Sequence, residues 1–279
     1  MRILITGITG FVGSHLARAF LRSRYDVHGL IRKHSKKTQL DALGISGNVT
    51  LHLCDNSIGC MSRVVAEVAP DLVCHLASLF LSTHNRDQID DLINSNVLFG
   101  TKLLECMMEA GVYRFINTGT SWQHYENQDY SPVNLYAATK QAFEDIIQYF
   151  VEARNLKVIT LKLFDTYGPY DNRNKLIHLL RQACITKIPL KMSPGEQIVD
   201  MVPIDTVVLK YLKAAERLIQ NEVESHEIYG VSSGHPQSLK DLVISLEKEW
   251  GCKIPVEWGA LHYRPREVMV PWLKYQELE

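Results

Sequence analysis

The stretch that most limits the fold lies at the N-terminus. There Arg2–Thr6 runs into Gly7-Ile8-Thr9-Gly10-Phe11-Val12-Gly13 and then into Ser14–Ser23. The first segment is a short apolar run rich in β-branched side chains, which reads as a buried strand. The last carries Leu16, Ala19, Phe20 and Leu21 at helical spacing. A strand that turns through three glycines straight into a helix is the context a dinucleotide fingerprint requires. The first glycine permits the tight turn, the second lets backbone approach a pyrophosphate, and the third lets helix and strand pack closely. Free N–H groups at the helix start then face the phosphates. The spacing is GxxGxxG, not GxGxxG. Gly7, Thr9, Gly10, Phe11, Val12 and Gly13 are therefore candidate cofactor contacts.

The segments that follow alternate in the same way. Val27–Ile31 reads as a second strand, and it ends at Arg32-Lys33 with no acid between Val27 and Gln39. A carboxylate there would accept from a ribose 2′-hydroxyl, whereas cations suit a 2′-phosphate. Arg32 and Lys33 thus favour NADP(H), with NAD(H) as the alternative. Val49–Leu53 is a third strand ending at Cys54-Asp55, where Asp55 could reach an adenine amine. Pro70–Ser78 holds a fourth strand whose end, Leu76-Ala77-Ser78, lets backbone approach the cofactor. His75 within it reads as a core histidine satisfied by hydrogen bonds. A long helical pattern, Asp91–Ala110, contains Asn96. Tyr113–Asn117 and Lys157–Phe164, the latter with Leu163, are the fifth and sixth strands. Strands and helices in this rhythm give an α/β fold, a doubly wound parallel sheet. The pattern then loosens through a loop at 167–173, a helix from Lys175 to Cys184, a strand at Val199–Ile204, and helices at Asp205–Asn221 and Ser238–Glu249. The expected division is a Rossmann NAD(P)-binding domain over 1–165, with 197–225 returning to it. A smaller C-terminal substrate-binding lobe takes 166–196 and 226–279, and the substrate site lies between the two.

Tyr136 and Lys140 stand four apart at the start of a further helical segment, so they share one face. A lysine charge beside a phenol is expected to lower its pKa, making Tyr136 a usable acid or base near neutrality. The fifth strand ends in Asn117-Thr118-Gly119-Thr120-Ser121, and hydroxyls leaving a strand's carboxyl end point toward the cleft. One hydroxyl to hold a substrate oxygen, one phenol to move its proton and one ammonium to tune the phenol make a complete set.

Composition narrows the class. Apolar residues are 46%, charged residues 22%, and the net charge is −1, so nothing suggests nucleic acid or an anionic membrane as partner. The six cysteines include no CxxC pair, which points away from a metal site and toward buried free thiols in a reducing compartment. Gly7 interrupts the first apolar run, so no secretory signal is read there and the expected location is cytoplasmic.

With these residues in view, the sequence resembles the extended short-chain dehydrogenase/reductase family of nucleotide-sugar enzymes nearly end to end. The matching residues are Gly7–Gly13, His75-Leu76-Ala77, Asn96, Thr118-Gly119-Thr120, Tyr136–Lys140, Tyr167-Gly168-Pro169 and Arg264-Pro265. The resemblance implies Thr120 in the Ser/Thr role, with Ser121 as a substitute or substrate contact, and Tyr136 as general acid/base. Lys140 would also hold the nicotinamide ribose. Leu76, Ala77, Asn96 and Leu163 join the cofactor contacts, while Arg264 and Lys175 would meet the nucleotide diphosphate. Asp165 stands where the family has Asn, and a carboxylate there needs a cationic partner, for which Arg266 is the candidate. The resemblance also implies a homodimer. Within the family, Ser121-Trp122-Gln123 replaces the Asp-Glu pair of the 4,6-dehydratases, and the C4 epimerases usually carry an acidic 2′-hydroxyl reader. The sequence looks most similar to NADPH-dependent 4-ketoreductases of deoxysugar synthesis for lipopolysaccharide or other cell-surface polysaccharide. The alternatives are an NAD-dependent epimerase and a non-catalytic NADP-binding regulatory protein.

Overall fold

The computed structural model describes residues 1–171 and 173–279. Six strands, β1 (Arg2–Thr6), β2 (Asp26–Ile31), β3 (Thr50–Leu53), β4 (Leu72–His75), β5 (Arg114–Thr120) and β6 (Lys157–Leu163), join the strand His226–Val231 in one seven-stranded sheet. Its order is His226–Val231, β6, β5, β4, β1, β2, β3, and every pairing is parallel. The direction of winding reverses between β1 and β4, which opens a crevice at their carboxyl ends.

Side chains alternate across each strand, and both faces are covered. Ile3 and Ile5 enter one core with Leu16 and Phe20 of α1 (Phe11–Arg22), beside α2 (Thr38–Ala42). Leu4 enters the other, with α3 (Ile58–Val68). The long helix expected at Asp91–Ala110 is α4 (Ile89–Ile93) and α5 (Phe99–Glu109), joined by a π turn over Asn94–Leu98. Then follow α6 (Leu135–Arg154), α7 (Leu176–Thr186), α8 (Ile204–Ile219) and α9 (Leu239–Trp250). Helix α8 covers the first core through Val207, Tyr211 and Ala214, whereas α7 and α9 build a separate small cluster from Leu180, Leu242, Val243 and Leu246.

Three expectations change. His226–Val231, assigned to the small lobe, is the edge strand of the main sheet, in register with β6. Only Gly230 and Val231 in it are buried, so its His-Glu-Ile-Tyr start shows no apolar run. Trp272 and Leu278 of the C-terminal segment likewise enter the main core. Cys184 and Cys252 form a disulfide, while Cys54, Cys60, Cys74 and Cys106 are the free, buried thiols expected. Among the described residues no helix is long and apolar enough to cross a membrane.

The glycine turn is dictated by crowding. Gly7 has φ +74°, and a Cβ there would lie 2.7 Å from Ala77 N, so the end of β4 presses on this turn. A Cβ on Gly13 would fall 2.2 Å from the Gly7 carbonyl oxygen. Gly13→Ala should therefore destabilise the fold by about 1–3 kcal/mol, the range for overpacking. Urea unfolding should show the midpoint falling with an unchanged slope.

Candidate active site

The crevice between β1 and β4 holds a cavity of about 780 Å³. Gly7, Thr9, Gly10, Arg32, Asp55, Leu76 and Ala77 line it, as the sequence suggested. Gly10 caps α1 without a side chain, so the first N–H groups of the helix have no side-chain acceptor and suit a pyrophosphate. At the end of β2 the Arg32 N–H donates to Ser35 Oγ at 3.0 Å, and Ser35 also lines the cavity. Asp55 accepts from the Ser57 N–H and hydroxyl at the start of α3, bonds that hold its carboxyl below the usual range.

Other expected contacts lie elsewhere. Gly13 is packed beneath Gly7, and the Phe11 ring lies 4.3 Å from the Arg173 guanidinium. Val12, Lys33 and Leu163 are not lining residues; Val12 and Leu163 pack against the first core. Asn96 is fully buried in the π turn, with every side-chain bond used inside the protein. It accepts from Leu79 N–H (2.7 Å) and the Ser78 hydroxyl (3.1 Å), and donates to Leu79 O and Thr139 Oγ1 (both 3.0 Å). It therefore shapes the crevice by holding the loop after β4, while its neighbours Asn94 and Ser95 face the cavity. A π turn carries no residue signature of its own, which is why the residues alone read as one continuous helix here.

Asn134 caps α6, its side chain accepting from Ala137 N–H at 2.9 Å, and this sets the first turn that carries Tyr136. The hydroxyls of Ser78 and Thr120 act on the phenol, each favouring its ionised form. Thr118 is excluded from this group, because its hydroxyl donates to His75 O (2.8 Å) and meets the Tyr211 hydroxyl (2.6 Å). Ser121 has no bond to the phenol. Ser78 was noticed in the sequence only as a small residue at a strand end.

The electrostatics reverse one expectation. Burial pushes the Tyr136 phenol up to about 12, Asp165 adds to the rise, and the Ser78 and Thr120 hydrogen bonds offset only part of it. Lys140 does not lower it. Its own side chain is 2% exposed, and burial brings its ammonium down to about 8, against a smaller upward pull from Glu144. Among the described residues the Lys140 ammonium forms no hydrogen bond or ion pair. His75 is the expected core histidine, yet only half satisfied: Nδ1 lies 2.8 Å from Thr6 Oγ1, while Nε2 has no partner among Phe99, Phe115 and Phe143. Burial, then the Lys140 charge, takes it down to about 3, so it stays neutral.

A buried network that sequence reasoning missed supports the site. Lys162 pairs with Glu144 at 2.9 Å and meets His124 Nε2 at 2.9 Å. Gln123 donates to Glu144 (3.1 Å) and Gln141 (2.8 Å), and its carbonyl accepts the Thr120 N–H at 3.0 Å. Thr120 and Gln123 form a capping box, a spacing that the sequence does display.

On the open side, Lys175 is the partner of Asp165, at 3.7 Å. Arg266, the expected partner, instead donates to Ser131 Oγ (2.7 Å) and lies over the Tyr125 ring. Arg264 makes a bidentate pair with Glu267 at 2.9 and 2.8 Å and sits over Trp122.

Lys140 yields a test without turnover. Its folded value, about 8, lies below its ordinary 10.5, so the unfolded chain binds that proton more tightly. The cost of burying the charge is full below pH 8 and fades as pH rises toward 10.5. Lys140→Met should raise the stability of the ligand-free protein at pH 7 by about 1–3 kcal/mol. That advantage should shrink by pH 10, as read by urea unfolding at both pH values.

Comparison with known proteins agrees with this arrangement. The model of the NAD dependent epimerase/dehydratase family matches residues 3–235. CDP-abequose synthase from Salmonella typhimurium is 28% identical over 96% of this chain and 87% of its own length. The enzyme of that name from Yersinia pseudotuberculosis is 25% identical over 100% of this chain and 94% of its own length. Among solved structures, UDP-glucose 4-epimerase from Thermotoga maritima superposes with a TM-score of 0.86 at 21% identity, covering 99% of this chain and 90% of the other, a likeness of fold. The chain belongs to the NAD dependent epimerase/dehydratase family.

Proposed function

We propose that the protein reduces the C4 ketone of a nucleotide-linked 4-keto-deoxyhexose, carried on CDP or dTDP, with NADPH as the reductant. The observation that carries this reading is a phenol kept protonated between two hydroxyls, beside a buried and unpaired lysine. NADPH supplies the hydride to C4. Thr120 and Tyr136 hydrogen-bond the carbonyl oxygen, and Tyr136 gives it a proton as negative charge develops there. The phenolate left behind is favoured by the hydroxyls of Ser78 and Thr120, the groups that pull its pKa down. Ribose hydroxyls suit the Lys140 N–H donors, which have no acceptor among the described residues.

Arg32 with Ser35 suits a 2′-phosphate, and Arg264 and Lys175 suit a diphosphate. Ser121-Trp122-Gln123 stand where a dehydratase carries its Asp-Glu pair, and none of the three is a carboxylate. Two relatives named as CDP-abequose synthases support a CDP-linked deoxysugar. The epimerase reading has epimerase relatives and the shared fold behind it, but the chain lacks an acid at the end of β2. Exposed Ile93 on α4 and Tyr149 on α6 support a homodimer. A cytoplasmic place in the synthesis of cell-surface polysaccharide goes with this reading.

Tyr136→Phe should cut turnover by about 10²–10⁴-fold, the usual worth of a positioned acid, and leave NADPH affinity almost unchanged. Surviving activity would defeat the mechanism. Arg32→Asp should weaken NADPH relative to NADH by about tenfold or more, the loss of a charge-assisted bond plus repulsion, as read by cofactor titration.

A further inference from the structure

Phe80 is 43% exposed, yet the loop that carries it is braced on both sides. Asn96 grips Leu79 by its N–H (2.7 Å) and its carbonyl (3.0 Å). Asn134 donates to the carbonyls of Leu81 (3.2 Å) and Ser82 (3.0 Å). An apolar ring held open to the cleft in this way contributes little to the core. Its edge meets Tyr136 at 5.0 Å and 79°, and it leans on Trp122 at 5.6 Å and 56°. Trp122 is braced separately: its carbonyl accepts the Val133 N–H at 2.9 Å, and the next residue, Gln123, is anchored inward on Glu144. The two rings thus form an apolar corner against the phenol. Beyond them, Lys175 Nζ stands 5.0 Å from the Phe80 centroid and the Arg264 guanidinium 5.5 Å from Trp122.

This surface has an order: phenol, then rings, then cations. We infer that Phe80 and Trp122 are specificity-determining residues, forming a wall that selects hexoses with C–H where other sugars carry hydroxyls near the reacting carbonyl. The inference deepens the reading proposed above and rests on it. A hydroxyl turned against the two rings gives up water and meets no acceptor, whereas a methylene or methyl packs there without that loss. The Ser78 hydroxyl at the foot of the same loop already donates to Asn96 at 3.1 Å. The cations at the far end fit the diphosphate that such a sugar carries.

The test is a binding measurement that needs no turnover. With NADP⁺ present, calorimetry would compare a CDP-linked 3,6-dideoxyhexose with CDP-glucose, and the matching dTDP pair, on the wild type, Phe80→Ser and Phe80→Leu. The wild type should prefer the dideoxy ligand by about ten- to a hundredfold, as apolar pockets do against added hydroxyls. Phe80→Ser should bring that ratio to about threefold or less, and Phe80→Leu should keep most of it. An unchanged ratio in Phe80→Ser, or no preference in the wild type, would overturn the wall while leaving the nucleotide-sugar reading intact. No binding by either series would overturn that reading itself, and the wall with it.

Discussion

Two lysines are buried at this site against one carboxylate. Lys162 takes Glu144 at 2.9 Å, so its charge is neutralised inside the sheet. Lys140, one helical turn before Glu144 on α6, feels the same carboxylate only at a distance and keeps a depressed pKa. Glu144 also accepts from Gln123, and Gln123 holds the Thr120 N–H. One side chain therefore neutralises the core, fixes the end of β5 against α6, and leaves the Lys140 donors free for a ligand. Removing it would strand two ammonium groups in the interior, among the costlier changes a folded protein can undergo.

The same burial bears on the acid role proposed for Tyr136. With its phenol raised to about 12, it enters any reaction near neutrality as the protonated form. Asp165 strengthens this, and its charge is held in place by Lys175. A protein that first had to take a proton from an alcohol would gain from the opposite shift. That fits the acid role, and the reductive direction, proposed above.

Much of this was legible in the sequence, for reasons that differ by element. The glycine turn could be read because Gly7 and Gly13 answer to close backbone contacts that no other residue tolerates. Strands β1 and β4 could be read because both faces of the sheet are covered there and their apolar runs are unbroken. Hidden features were those whose partners lie far along the chain. His226–Val231 pairs only at an edge, and Gln123, Glu144 and Lys162 become a network only when β5, α6 and β6 meet. The spacing of Tyr136 and Lys140 was visible, but its electrostatic sign was not. Spacing reports that two groups share a face, while burial decides what each one's charge costs.

The direct measurement of the central claim follows the hydrogen. NADPH carrying deuterium at both C4 positions of its nicotinamide would be turned over with a CDP-linked 4-keto-3,6-dideoxyhexose, and the product examined by proton NMR and mass spectrometry. The account predicts one deuterium at the sugar C4, with one equivalent of NADP⁺ formed per product. A sugar changed in configuration but carrying no deuterium, with the cofactor unconsumed, would contradict it.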